Sequence, residues 1–149
     1  MSIAEKIEWP RNDYSRVPFK LYHDPEVFEV EMERIFRGAC WNFMGLEAEV
    51  PSPGDYRTTW IGDTPVVYNR TENGDVAAFV NRCAHRGAIV RREVYGNTKD
   101  HTCIYHRWCY DLQGNLIGVP FQRGVNGKGG MSDDFDKSEH GLRQLRVEN

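Results

Sequence analysis

Two thiols and two imidazoles in a set order constrain this chain more than anything else in it. They are Cys83, His85, Cys103 and His106. The order is Cys-x-His, then residues 86–102, then Cys-x-x-His. Each half offers one thiolate and one imidazole, both good ligands for a transition metal. Any fold that uses all four must bring two short loops face to face. Zinc fits poorly, because its usual pairs are spaced Cys-x2–4-Cys and His-x3–5-His. Four unconnected core residues are the other alternative, since single Cys and His residues are common inside proteins. A disulfide between Cys83 and Cys103 is disfavoured, because nothing marks the chain as secreted.

Two thiolates with two imidazoles form the ligand set of a [2Fe–2S] centre in which two His replace two Cys on one iron. Two irons bridged by two sulfides need ligand pairs on opposite sides, and two loops can supply them. Two ferric ions, two sulfides and two thiolates sum to no net charge. A cluster held by four Cys is negative, so His ligation raises the reduction potential. An imidazole ligand also keeps a second nitrogen that can lose a proton. Reduction is then expected to raise the pKa of His85 or His106, coupling electron to proton. A zinc-binding interaction module stays open beside this reading.

The 149 residues suffice for one domain with a real core. With 40% hydrophobic and 28% charged residues, disorder is not expected. The chain holds no long apolar run, so no membrane span is expected. Residues 1–6 lack an apolar signal region, and a cytoplasmic setting is the default. Asn69-Arg70-Thr71 fits a glycosylation sequon, which means little without secretion. Cys40 and Cys109 each neighbour a Trp and read as buried packing residues. A net charge of -3 argues against general nucleic-acid binding. Locally the balance reverses. Arg82, Arg86, Arg91, Arg92, Lys99 and Arg107 face only Glu93 and Asp100 within residues 82–107. A basic collar there would steer an acidic electron donor, and solvated loop charge is the plainer alternative.

Helix signals come first along the chain. Asp24 suits a cap and Pro25 the first turn, and Phe28, Met32, Ile35 and Phe36 recur at helical spacing to about Arg37. After Gly38 the pattern turns to short strands. The apolar run 41–46 opens it, followed by segments 56–61, 65–69, 76–80, 102–112, which contains the second Cys-His loop, and 116–119. Asn73-Gly74 marks a hairpin. The expected fold is mostly β: a small antiparallel sandwich or barrel with two cluster-binding loops and an N-terminal helix. Residues 124–130 fail as a phosphate loop, because Gly129 follows Lys128 where Ser or Thr is needed, and they read as a flexible loop. Ser132, Asp133, Asp134 and Asp136 suit a turn or helix start, and Leu142, Leu145 and Val147 begin a further segment. The expected division is residues 1–38 as an extension with a helix, 39–122 as the [2Fe–2S] domain, and 123–149 as a loop and lead-in.

Cys83-Ala84-His85-Arg86-Gly87, with Tyr105-His106-x-Trp108, resembles the N-terminal Rieske [2Fe–2S] domain of aromatic-ring-hydroxylating dioxygenase large subunits. Phe28 to Trp41, Gly45-Leu46-Glu47, Pro53-Gly54-Asp55-Tyr56 and Gly118-Val119-Pro120-Phe121 add to the likeness. The resemblance implies that Cys83, His85, Cys103 and His106 hold the cluster. It implies one-electron relay from a ferredoxin or flavin-dependent reductase to a mononuclear non-haem iron(II). That iron belongs to a catalytic domain absent here, and no catalytic residue is assigned in this chain. A homotrimer, or a hetero-hexamer with a small subunit, is implied for the whole enzyme. Residues 119–131 look most like subunits acting on aromatic acids such as salicylate, anthranilate or terephthalate. A free-standing Rieske ferredoxin is the alternative.

Respiratory Rieske proteins carry a disulfide between their cluster loops; here the matching positions look like Ala88 and Tyr105. They also place a Ser hydroxyl near a cluster sulfur, where Trp108 stands here. Fewer hydrogen bonds to sulfur imply a lower potential. Arg107 follows His106 where this family often has Gly. Of the other histidines, His101 and His140 read as surface or hydrogen-bonding residues, with contact to the ligand shell conceivable only for His101.

Overall fold

A computed structural model describes residues 7–9 and 15–148. It divides into two units, one within residues 1–43 and one within residues 44–149. In the first unit, the Asp24 carboxylate accepts from the Glu26 N–H at 2.8 Å and starts helix α1, Pro25–Glu31. The helix then widens into a π turn over Met32–Phe36, closed by the Arg37 N–H on the Met32 carbonyl at 2.9 Å. Val27 and Met32 are buried, whereas Phe28 and Ile35, expected in the core, are 47% and 45% exposed. A wider turn rotates later side chains off the 3.6-residue stripe, which accounts for Ile35; the exposure of Phe28 has no such local cause.

The second unit holds eight strands: β1 Asp55–Ile61, β2 Thr64–Arg70, β3 Val76–Val80, β4 Tyr95–Asn97, β5 His101–Thr102, β6 Cys109–Tyr110, β7 Leu116–Gly118 and β8 Gln144–Leu145. One antiparallel sheet has the order β4-β1-β2-β3-β8, the other β5-β6-β7. Central β2 is buried on both faces, which suits its run of Val66, Val67 and Tyr68. Alternation then sorts its side chains. Val67, paired with Phe79, joins Tyr56, Tyr110, Leu116 and Leu142 in a core between the sheets. Tyr68, paired with Ala78, packs with Val50 in a second cluster. This is the expected antiparallel sandwich.

Two local features differ from the sequence reading. Residues 41–46 form no strand, and Trp41 and Phe43 are 64% and 80% exposed. Strand β4, too short and mixed to signal itself, pairs with β1. Segment 102–112 holds strand residues on either side of the second Cys-His loop, as expected. Residues 124–130 form a hydrogen-bonded turn, with Val125 and Lys128 exchanging both backbone bonds at 3.0 and 3.1 Å. Asp136 accepts from the Ser138 N–H at 2.8 Å and starts a 3-10 turn, Lys137–His140. Asn69, the sequon residue, is wholly buried. Among the described residues no helix is long and apolar enough to cross a membrane.

Candidate metal centre

The four sequence-selected residues sit on two loops of one design. In the first, residues 83–88, the Cys83 N–H bonds the Ala88 carbonyl at 2.8 Å and the Gly87 N–H bonds the Cys83 carbonyl at 2.8 Å. In the second, residues 103–108, the Cys103 N–H bonds the Trp108 carbonyl at 2.8 Å and the Arg107 N–H bonds the Cys103 carbonyl at 3.0 Å. The fifth residue of each is left-handed: Gly87 at φ 70 and Arg107 at φ 60. The loops differ in where the imidazole stands, third in the first and fourth in the second.

The donors sort by kind. Cys83 and Cys103 are buried free thiols, and Cys103 is close enough to act on Cys83. Burial pushes the Cys83 thiol up, the Tyr110 hydroxyl opposes this, and Cys103 adds to the rise. The half-buried rings of His85 and His106 meet edge to face, their centroids 4.6 Å apart. Burial, then His106 and Arg86, hold His85 below the usual imidazole range, in the neutral form a metal ligand needs. Among the described residues no three His, Cys, Asp or Glu side chains gather as ligands of a single ion would. A thiolate pair beside an imidazole pair instead matches a group of two irons.

One atom tests the fit directly. His85 Nδ1 is buried without a hydrogen-bond partner, the only such side-chain atom among the described residues. Leaving a buried polar atom unpaired costs about 1–3 kcal/mol. A metal bond at that nitrogen removes the penalty, so these residues fit the cluster.

Neighbouring side chains were less legible. Tyr110 is wholly buried on β6, with its hydroxyl 3.1 Å from Cys83 Sγ. That hydroxyl accepts from the Ala84 N–H at 3.1 Å, which leaves its own proton for the sulfur. Burial first, then Cys83, push the Tyr110 pKa up, so it stays a donor. Loss of the Ser hydroxyl at position 108 is thus not loss of every hydroxyl bond to sulfur. The available signal was a core tyrosine two residues after a loop, since a buried hydroxyl needs a partner. Trp108 itself is buried and stacks on His85, centroids 4.8 Å apart and planes 11° apart. Tyr105 lies over His106, centroids 3.8 Å apart.

Two histidines, read as surface or hydrogen-bonding residues, are placed by the structure, and His101 is of the hydrogen-bonding kind. His101 is wholly buried and bonded to Arg91 and Asn69, not at the surface. Burial and the Arg91 charge hold its pKa down at about 4. His140 is half-buried, stacks on Phe135 and meets the Trp108 edge. Cys40 is exposed, not packed, while half-buried Cys109 accepts from the Thr102 hydroxyl at 3.3 Å. Arg82, Arg86 and Arg107 are exposed on the two loops or at their edge, with Ile104 and Tyr105.

Comparison with known proteins agrees with this geometry. The model of the Rieske [2Fe-2S] domain matches residues 40–128. The anthranilate 1,2-dioxygenase large subunit of Burkholderia cepacia is 55% identical over 145 residues, 97% of this chain and 34% of that protein. The terephthalate 1,2-dioxygenase terminal oxygenase subunit alpha 2 of a Comamonas species is 48% identical over 141 residues, 95% of this chain and 34% of that protein. The crystal structure of naphthalene 1,2-dioxygenase with indole bound superposes with a TM-score of 0.78 at 34% identity, covering 87% of this chain and 28% of that one. The chain thus spans about a third of the length of the curated relatives it matches. With the paired donors, the twin loops and the matched span in agreement, this chain belongs to the Rieske [2Fe–2S] domain family.

Proposed function

We propose that Cys83 and Cys103 hold one iron of a [2Fe–2S] cluster and His85 and His106 the other, and that the chain relays single electrons within an aromatic-ring-hydroxylating dioxygenase. The observation that carries this is the thiol pair beside the imidazole pair, with His85 Nδ1 buried and unbonded. When bound, the cluster supplies a one-electron couple near the protein surface. The protein's own groups do the rest. Tyr110 donates to the Cys83 sulfur, Trp108 fixes the His85 plane, and Tyr105 covers His106. Each imidazole keeps one nitrogen free to release or take a proton as the charge changes.

The electron donor is a ferredoxin or flavin-dependent reductase with an acidic face, met by exposed Arg82, Arg86 and Arg107. The acceptor is a mononuclear non-haem iron outside this chain. An aromatic acid is the substrate class, supported by the likeness to large subunits for anthranilate and terephthalate. Anaerobic reduction followed by electron paramagnetic resonance tests the site: a Rieske signal is expected, and zinc without that signal would refute it. His106→Cys should keep a cluster at lower potential, since a thiolate adds negative charge; an unchanged potential would remove His106 from the ligand set.

A further inference from the structure

A partly buried polar chain links the entries of both ligand loops and passes through Arg91. Its first link lies at the start of the first loop. The Asn81 amide, two residues before Cys83, donates to the Arg91 carbonyl at 2.7 Å and accepts from the Arg91 N–H at 2.8 Å. The Arg91 side chain then crosses to the lead-in of the second loop. Its Nε donates to His101 Nδ1 at 3.0 Å, two residues before Cys103. Its other donors meet the Thr98 hydroxyl at 2.8 Å and the Asp100 carbonyl. The guanidinium lies over the Tyr56 ring, 4.9 Å from its centroid. His101 Nε2 donates to Asn69 Oδ1 at 2.9 Å, and the Asn69 amide donates to the Leu112 carbonyl at 3.0 Å. Asn69, Asn81 and His101 are all 2% exposed or less.

Filling the space would not require this arrangement. Arg91 is half-buried, and an apolar residue there would avoid partly desolvating a cation, which is costly unless the charge is well bonded. The placement of the bonds is what distinguishes it. The Arg91 backbone is tied to the entry of one ligand loop and its side chain to the entry of the other. The two cysteines approach from those entries. We propose that Arg91 is a positioning residue that sets the separation of the ligand loops through Asn81 and His101. The proposal rests on the four-ligand reading above. A two-iron group needs its thiolate pair and imidazole pair at one spacing in both oxidation states, and a cross-loop tie meets that need. His101 Nδ1 accepts from the Arg91 Nε–H, so the imidazole proton stands on Nε2, facing Asn69 Oδ1.

The test uses the purified chain carrying its cluster, with R91Q, N81A and, as a control, V50A. Val50 is buried in the cluster with Tyr68 and Ala78, away from the polar chain. Thermal midpoints, iron loss to a chelator and the reduced-state resonance spectrum are measured on each. R91Q and N81A should lose iron about tenfold faster than V50A at equal loss of thermal stability, the effect of one charged hydrogen bond for R91Q and of two neutral ones for N81A. Their resonance lines should also broaden, because the ligand pairs would sample a range of spacings. Should R91Q not fold, N81A reads the same tie with the guanidinium intact. Iron loss no faster than V50A, with unbroadened lines, would overturn the proposal. A wild-type chain that binds no cluster would overturn the ligand reading itself.

Discussion

The two ligand loops are near copies in backbone and unlike in side chains. Both use six residues, the same pair of backbone bonds and a left-handed fifth residue. The first fills that position with Gly87, the second with Arg107. The first ends on small Ala88, the second on buried Trp108, which turns back to stack on the first loop's His85. Backbone geometry thus presents the donors, while side chains of the second loop and the strand after it, Trp108 and Tyr110, shape the surroundings of both. The one-residue offset of the imidazoles is why one motif reads Cys-x-His and the other Cys-x-x-His.

Removing the offset should have the largest effect. The double change His85→Ala with Arg86→His gives both loops the second spacing. Cluster content, read as iron per chain, should fall at least about tenfold, on the scale of losing metal-site order. A full cluster complement would show that the offset is not required.

The fifth positions come next. Gly87 has no atom within 4 Å of where a Cβ would sit, so Gly87→Ala adds backbone strain without a clash. A loss of about 1–2 kcal/mol is expected in chemical denaturation. Arg107→Gly should do the reverse, gaining up to about 1 kcal/mol, because the added chain entropy of Gly offsets part of the relief. Equal effects of the two changes, in sign, would mean that the loops do not share one frame.

Tyr110→Phe sharpens the side-chain half of the comparison. It removes a donor from the Cys83 sulfur. If that bond is stronger to the reduced cluster by about 1 kcal/mol, the potential falls by about 40 mV. Voltammetry with no shift would show that the hydroxyl does not tune the couple.

How legible was this in the sequence? The pair of Cys-His loops was, because thiol and imidazole at short spacing stand out in a sequence. Strands β1, β2, β3 and β7 were, because each carries β-branched or aromatic residues between turn signals. Strand β4 was not, because three residues, Tyr95–Asn97, carry no periodicity and exist as a strand only through pairing with β1. Histidine roles were unreadable singly. His101 carries the same local signals as a surface residue, and its burial is decided by Arg91 and Asn69, 10 and 32 positions away.

The sequence by itself determined the order of two thiols and two imidazoles, and with it the likeness to Rieske [2Fe–2S] domains that the family match bears out. Tertiary structure decided what surrounds them. Tyr110 meets Cys83 across 27 positions, and Trp108 meets His85 across the gap between two loops. Such contacts depend on where the sheets bring distant segments together. Local propensity cannot encode them, because hydrogen bonding and burial act through space and not along the chain.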